Sequence, residues 1–190
     1  ELPEINPNFV KPGMEGIKVT SRDPETNARY WSIPGMEGFN HRNGGLEKDF
    51  TTGSISTDAI NHQKMVDTRQ AKIDYISNVI PELKIEGDET ADLLVLGWGS
   101  THGHLMTAVN SLNKQGKKVA LAHFNYINPL PKNTEEVIRK FKKVIVCELN
   151  SGQFATFIRS KVPGEYLQYN KVQGQPFTVA ELEEHISTLI

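Results

Sequence analysis

Two stretches of the sequence carry the residue types that bind or react. They are Gly97-Trp98-Gly99-Ser100-Thr101-His102-Gly103-His104 and Glu148-Leu149-Asn150-Ser151-Gly152-Gln153, with Asn125-Tyr126 between them. Glycines between a strand and a helix let backbone amides approach a phosphate at the helix N-terminus, so the first stretch invites a dinucleotide reading. Its spacing opposes that reading. Gly97, Gly99 and Gly103 stand one residue further apart than the fingerprint requires, and no Asp or Glu ends the next strand to hold a ribose. The favoured reading is structural: Gly99 permits a tight turn, and Ser100 or Thr101 caps the helix. His102 and His104, two apart on a helix, point to different faces and lack an evident third ligand, which disfavours a metal site.

Cys147 is the only cysteine. It sits inside an apolar run and reads as a small buried hydrophobe, since a reactive thiolate needs exposure and positive neighbours. Neither a GxSxG nucleophile elbow nor a P-loop occurs. The candidates for a partner or ligand contact are therefore Ser100, Thr101, His102, Asn125, Glu148, Asn150 and Gln153. Glu148, Asn150 and Gln153 are the most informative cluster, because a carboxylate and two amides at a strand end can hydrogen-bond a partner's backbone or a ligand. Capping of the following helix by Asn150 or Ser151 is the competing reading. No residue is assigned as catalytic, cofactor-binding or metal-ligating.

The elements that must position these loops follow from hydrophobic patterning. Asp92–Trp98, Lys118–Phe124 and Lys143–Leu149 are apolar runs of the kind buried on both faces of a parallel sheet. Helices are expected from about Thr101 to Gln115, ending at Gly116; from an Asn133 or Thr134 cap to about Phe141; from about Ser151 to Lys161; and from Thr178 to the end. A turn at Asn128-Pro129-Leu130-Pro131 and a short strand, Tyr166–Lys171, complete the series. Successive βα units give an α/β fold: a mostly parallel sheet with helices on both faces, whose strand ends converge on one ligand-binding edge.

The first part has a different texture. Turn signals recur at Pro12-Gly13, Asp23-Pro24, Pro34-Gly35, Asn43-Gly44-Gly45 and Thr52-Gly53, leaving room for short strands only, at Ile17–Thr20 and Tyr30–Ile33. From about Asp58 the spacing of Met65, Val66, Ile73, Ile76 and Ile80 predicts an amphipathic helix, capped by Ser56, Thr57 or Asp58 and ended by Pro81. A polar linker, Glu86–Thr90, follows. The expected division is thus 1–85, an irregular Gly/Pro-rich segment with one long helix, and 86–190, the α/β domain.

With 190 residues, 37% of them hydrophobic, the chain can bury one sizeable core and a smaller appendage. Lys and Arg number 21 against 23 Asp and Glu, a net charge of −2, which offers no basic footprint for nucleic acid. No apolar run approaches the roughly 20 residues of a membrane helix, and the start at Glu1-Leu2-Pro3 lacks the basic flank and apolar stretch of a secretory signal. A single cysteine rules out a disulfide framework, a CxxC zinc site or an iron–sulfur cluster held by this chain's own thiolates, and fits a reducing cytoplasm. The missing initiator methionine favours an excised fragment over a processed chain.

Three stretches together resemble one family. They are Gly44-Gly45-Leu46-Glu47-Lys48-Asp49 with His62, Met65 and Arg69; the loop Gly97-Trp98-Gly99-Ser100-Thr101 in its βα setting; and Glu148 to Gln153. These are similar to the α subunit of 2-oxoglutarate:ferredoxin oxidoreductase and of 2-oxoacid:acceptor oxidoreductases more widely. The resemblance spans essentially the whole chain and implies the C-terminal part of that subunit: the end of the thiamine-diphosphate pyrimidine-binding domain, then a transketolase C-terminal-like domain. Lys48 and Asp49 depart from the family's GLEHDE-type pattern.

The resemblance implies oxidative decarboxylation of a 2-oxo acid to an acyl-CoA, with electrons passed through iron–sulfur clusters to ferredoxin. It implies thiamine diphosphate, magnesium, CoA and those clusters in the whole enzyme, none bound by this fragment, which has no GDG…NN motif and no cluster ligands. The implied partners are the β subunit, other subunits and, through the complex, ferredoxin. The expected role is structural, in subunit contacts, with no activity alone. The alternative is a self-standing α/β module binding a small anion or nucleotide at the first helix N-terminus. An independent hydrolase or dehydrogenase lacks a supporting nucleophile or fingerprint.

Overall fold

A computed structural model of the chain describes residues 7, 9–11, 14–42 and 44–190. Its internal contacts divide it into two compact units, Glu1–Val79 and Ile80–Ile190. The expected turn at Pro12-Gly13, and Asn43 of the Asn-Gly-Gly turn, lie outside the described residues.

The first unit is turn-rich up to one helix. Among the described residues, pairing between extended segments is limited to isolated bridges, Phe9 with Trp31, Arg22 with Arg29 and Lys48 with Ile55. The strands expected at Ile17–Thr20 and Tyr30–Ile33 do not form. Asp23 Oδ1 accepts from the backbone N–H of Glu25 and Thr26, an Asx turn that closes at the Arg22–Arg29 bridge, and beyond that bridge Trp31 pairs with Phe9 instead, its carbonyl accepting from Val10 N–H at 2.9 Å. Asp49 makes a similar Asx turn with Thr51 and Thr52.

Helix α1, Ala59–Tyr75, takes Asp58 as its cap, the carboxyl accepting from Asn61 N–H at 2.7 Å. Of its expected apolar stripe only Met65 is buried, and Val66 is exposed. Buried Asn61 ties the helix to the irregular segment instead, accepting from Phe50 N–H at 2.8 Å and donating to Lys48 C=O at 3.0 Å.

The second unit is built on a five-stranded sheet: β1 (Ile85–Gly87), β2 (Leu93–Trp98), β3 (Val119–Phe124), β4 (Lys143–Glu148) and β5 (Leu167–Asn170). The order is β1-β3-β2-β4-β5. Strands β3, β2, β4 and β5 run parallel, and β1 is antiparallel at the edge. The linker expected at Glu86–Thr90 is therefore partly strand. Glu86 pairs with Leu121 and Gly87 with Ala120, a three-residue pairing whose polar composition hides it from hydrophobic patterning.

Alternate side chains of the central strands feed two cores. Leu94, Leu96, Ala120, Ala122, Val144 and Val146 pack on one face with residues of α3 (Thr134–Arg139) and α4 (Gln153–Lys161). Leu93, Val95, Val119, Leu121, Ile145 and Cys147 pack on the other with residues of α2 (His102–Lys114) and α5 (Val179–Ser187). Both faces are thus covered by helices, as an α/β parallel sheet requires.

Candidate functional site

Because β2 lies between β3 and β4, the loops after these three strands are neighbours at one sheet edge. At Gly97, the last residue but one of β2, an added Cβ would run into the Leu105 side chain and lie 2.9 Å from Thr101 Oγ1, so only glycine lets α2 pack this closely. Gly99 adopts φ 61° and starts a 3-10 turn, Gly99–Thr101, which bears out the tight turn read from the sequence. The expected cap differs. Thr101 stands at the cap position of α2 but makes no side-chain cap, being buried and donating its hydroxyl back to Trp98 C=O at 2.9 Å, and Ser100 is exposed. The 3-10 turn leads straight into α2, leaving no extended residue to serve as cap.

His102, the first residue of α2, places Nε2 3.3 Å from both carboxyl oxygens of Glu86 on β1. Its ring stands 4.7 Å from that of His123 on β3. Three elements thus converge, next to a cavity of about 240 Å³ lined by Lys84, Glu86, His102, His123, Asn125 and Tyr126 among others. Burial, followed by the neighbouring His102, holds the His123 imidazole below its ordinary pKa, against bonds to the Gly99 backbone and Asn125. His123 Nε2 is buried without a hydrogen-bond partner. His123, Glu86 and Lys84 were not among the sequence candidates. The available signal was His123 itself, the lone polar side chain in Val119–Phe124.

The cluster after β4 turns inward. Glu148 has no exposed surface, and its two oxygens accept from Phe154 and Ala155 N–H at 2.9 and 3.0 Å, closing the first turn of α4. Asn150 Oδ1 accepts from Gly152 and Gln153 N–H, and Gln153 Oε1 from Ser151 N–H. The cap position belongs to Gly152 at φ 94°, not to Asn150 or Ser151. An added Cβ there would lie 2.5 Å from Gln168 Oε1. Asn125 borders the cavity beside β3, on the other side of β2 from the Glu148 loop. Cys147 is buried, and desolvation pushes its thiol up to about 12.

A doubly covered parallel sheet with polar loops at its carboxyl edge is the class this unit defines, and comparisons with known proteins make it specific. Residues 91–182 match the family model of the pyruvate:ferredoxin oxidoreductase core domain II. The chain is 43% identical over 187 residues, 97% of its length, to the 2-oxoglutarate oxidoreductase subunit KorA of Mycobacterium tuberculosis, of which it covers 28%. It is 31% identical over 146 residues to the α subunit of 2-oxoacid:ferredoxin oxidoreductase 1 of Aeropyrum pernix, 73% of this chain and 23% of that one. A solved 2-oxoglutarate:ferredoxin oxidoreductase from Magnetococcus marinus, with 2-oxoglutarate, coenzyme A and succinyl-CoA bound, superposes with a TM-score of 0.84 at 26% identity, covering 95% of this chain and 32% of that one. The chain belongs to the 2-oxoacid:ferredoxin oxidoreductase α-subunit family and corresponds to its C-terminal part. It spans under a third of the length of these relatives.

The donor set does not fit an iron–sulfur cluster, since the one thiol is enclosed in the sheet core. Among the described residues no three His, Cys, Asp or Glu side chains converge so as to hold a metal ion. No helix among them is long and apolar enough to cross a membrane.

Proposed function

We propose that the chain is the C-terminal accessory part of the α subunit of a thiamine-diphosphate-dependent 2-oxoacid:ferredoxin oxidoreductase, with 2-oxoglutarate as the 2-oxo acid. The whole enzyme decarboxylates this substrate oxidatively to an acyl-CoA and delivers the electrons to ferredoxin. Thiamine diphosphate, magnesium, CoA and the iron–sulfur clusters are held by other parts of the assembly. The observation that carries this reading is 43% identity extending over 97% of the chain to a 2-oxoglutarate oxidoreductase subunit. The carboxyl edge supports it: Glu148, Asn150 and Gln153 engage their own loop and helix, and so stiffen a surface without presenting a reaction centre.

In this reading the first unit is the end of the pyrimidine-binding domain and its linker, and the second the transketolase C-terminal-like domain, its start moved from the expected residue 86 to take in Ile85 of β1. Ser100, His102 and Asn125, exposed at the sheet edge, are the contact residues toward the β subunit or another part of the α subunit. The setting is cytoplasmic.

Reconstitution of the oxidoreductase with and without residues 91–190 is the test. Loss of 2-oxoglutarate-dependent ferredoxin reduction, together with loss of β-subunit association, is the expected outcome. Full activity after the deletion would refute the role.

A further inference from the structure

Strand β1 is held to the sheet by fewer residue pairs than any other strand, three to β3, against six between β2 and β3 and four in each remaining pairing. Such a strand depends on contacts outside its ladder, and local opening starts at elements of this kind. One of those contacts is ionic. His102 Nε2, at the start of α2, stands 3.3 Å from both carboxyl oxygens of Glu86, the middle residue of β1. A neutral imidazole offers Glu86 one ordinary hydrogen bond, or none if its proton sits on Nδ1, whereas an imidazolium sets a charged donor between two carboxylate oxygens. The contact therefore tightens when His102 holds a second proton.

His123 limits this from β3. Its ring is 4.7 Å from that of His102, and its buried Nε2 has no hydrogen-bond partner. Both nitrogens of an imidazolium are donors, so charging His123 would bury an N–H without an acceptor and bring a second cation beside His102. Burial, then His102, accordingly hold His123 below its ordinary pKa. Lys84 and Glu82, of opposite sign, line the same cavity from the segment before β1, and Tyr126 lines it after β3. His104, two residues along α2, stands on another face. Glu86 is thus the carboxylate that His102 meets.

We propose that Glu86, His102 and His123 form a proton-sensitive latch. With His102 charged and His123 neutral it clamps β1 to the start of α2 and steadies the loops bearing Ser100 and Asn125. Loss of the first proton, or gain of one by His123, releases the strand.

Hydrogen exchange of the 190-residue chain, followed by NMR between about pH 5 and 8, where histidine charge changes, and corrected for the intrinsic pH dependence of exchange, tests this. Protection of the β1 amides is expected to peak within the range and to fall on both sides, with β1 opening more readily than β4 throughout. The fall on the alkaline side should be about two- to fivefold, the scale of a part-exposed ion pair. Glu86→Gln should abolish it, and so should His102→Gln, a change at an exposed side chain. The fall on the acid side should share its midpoint with the His123 ring titration in the same spectra and vanish in His123→Gln. His41→Gln, in the other unit, should alter neither. A flat profile, an alkaline fall that survives both Glu86→Gln and His102→Gln, an acid fall that does not track the His123 ring, or β1 protection equal to that of β4 at every pH would overturn the proposal.

Discussion

Glu148 accepts two backbone hydrogen bonds from the start of α4 in a site with no exposure to water. Glu148→Ala would leave both N–H groups unsatisfied, and a loss of about 3 kcal/mol in urea unfolding is expected. Glu148→Gln, which keeps one acceptor oxygen, should lose about half as much. Cys147 makes a second residue-scale prediction. Its folded thiol is raised from 9.0 to about 12, so its contribution to stability is full below pH 9 and is lost as pH rises from there toward 12. The slope is at most about 1.4 kcal/mol per pH unit, and a Cys147→Ala variant should lack it when unfolding free energies are compared across that range. The buried character of Cys147 was legible because it continues the apolar run Val144-Ile145-Val146. The direction in which Glu148 points was not, since a carboxylate at a strand end reads the same whether it faces a ligand or the next helix.

At the scale of elements, Asn133 shows how a residue suited to one task can be drawn into another. It stands at the helix-cap position before α3, yet its side chain makes no cap. It accepts from Leu83 N–H at 2.8 Å and donates to Leu83 C=O at 2.9 Å, clamping the segment that leads into β1. Asn133→Ala removes both bonds, with an expected cost of about 2 kcal/mol and faster hydrogen exchange at the Leu83 amide. A cap role would leave that amide's exchange unchanged. Two other helix ends follow their sequence signals. Thr178 caps α5 through Glu181 N–H, and Gly116 at φ 82° ends α2, with Lys117 N–H bonding to Leu112 C=O. Strand β1 escaped notice because three residues including Glu86 and Gly87 carry no periodicity; its existence depends on a free edge of β3.

At the scale of the molecule, the two units have very different interiors. The second contains both core clusters, whereas Met65 is the only fully buried apolar side chain described in the first, which leaves Trp31, Leu46 and Ile60 exposed. Residues 80–190 expressed alone are therefore expected to unfold in one cooperative urea transition, followed by near-ultraviolet circular dichroism. Residues 1–79 alone should show no such transition, because burial of apolar surface is too small to offset chain entropy. A cooperative transition in the short piece would contradict this account of its core.

What the sequence determined by itself is whatever depends on local order: three apolar strands, the helices between them, the turns at Gly99 and Gly116, and family-specific stretches such as Glu148–Gln153. Hydrophobic period and glycine conformation are properties of neighbours in the chain, so they survive without coordinates. Only the tertiary structure decided which polar groups meet. Glu86, His102 and His123 are far apart in sequence and come together because β1 adds to the edge of β3 while α2 begins beside it. Side-chain encounters of this kind depend on strand order and loop path, which residue spacing alone does not encode.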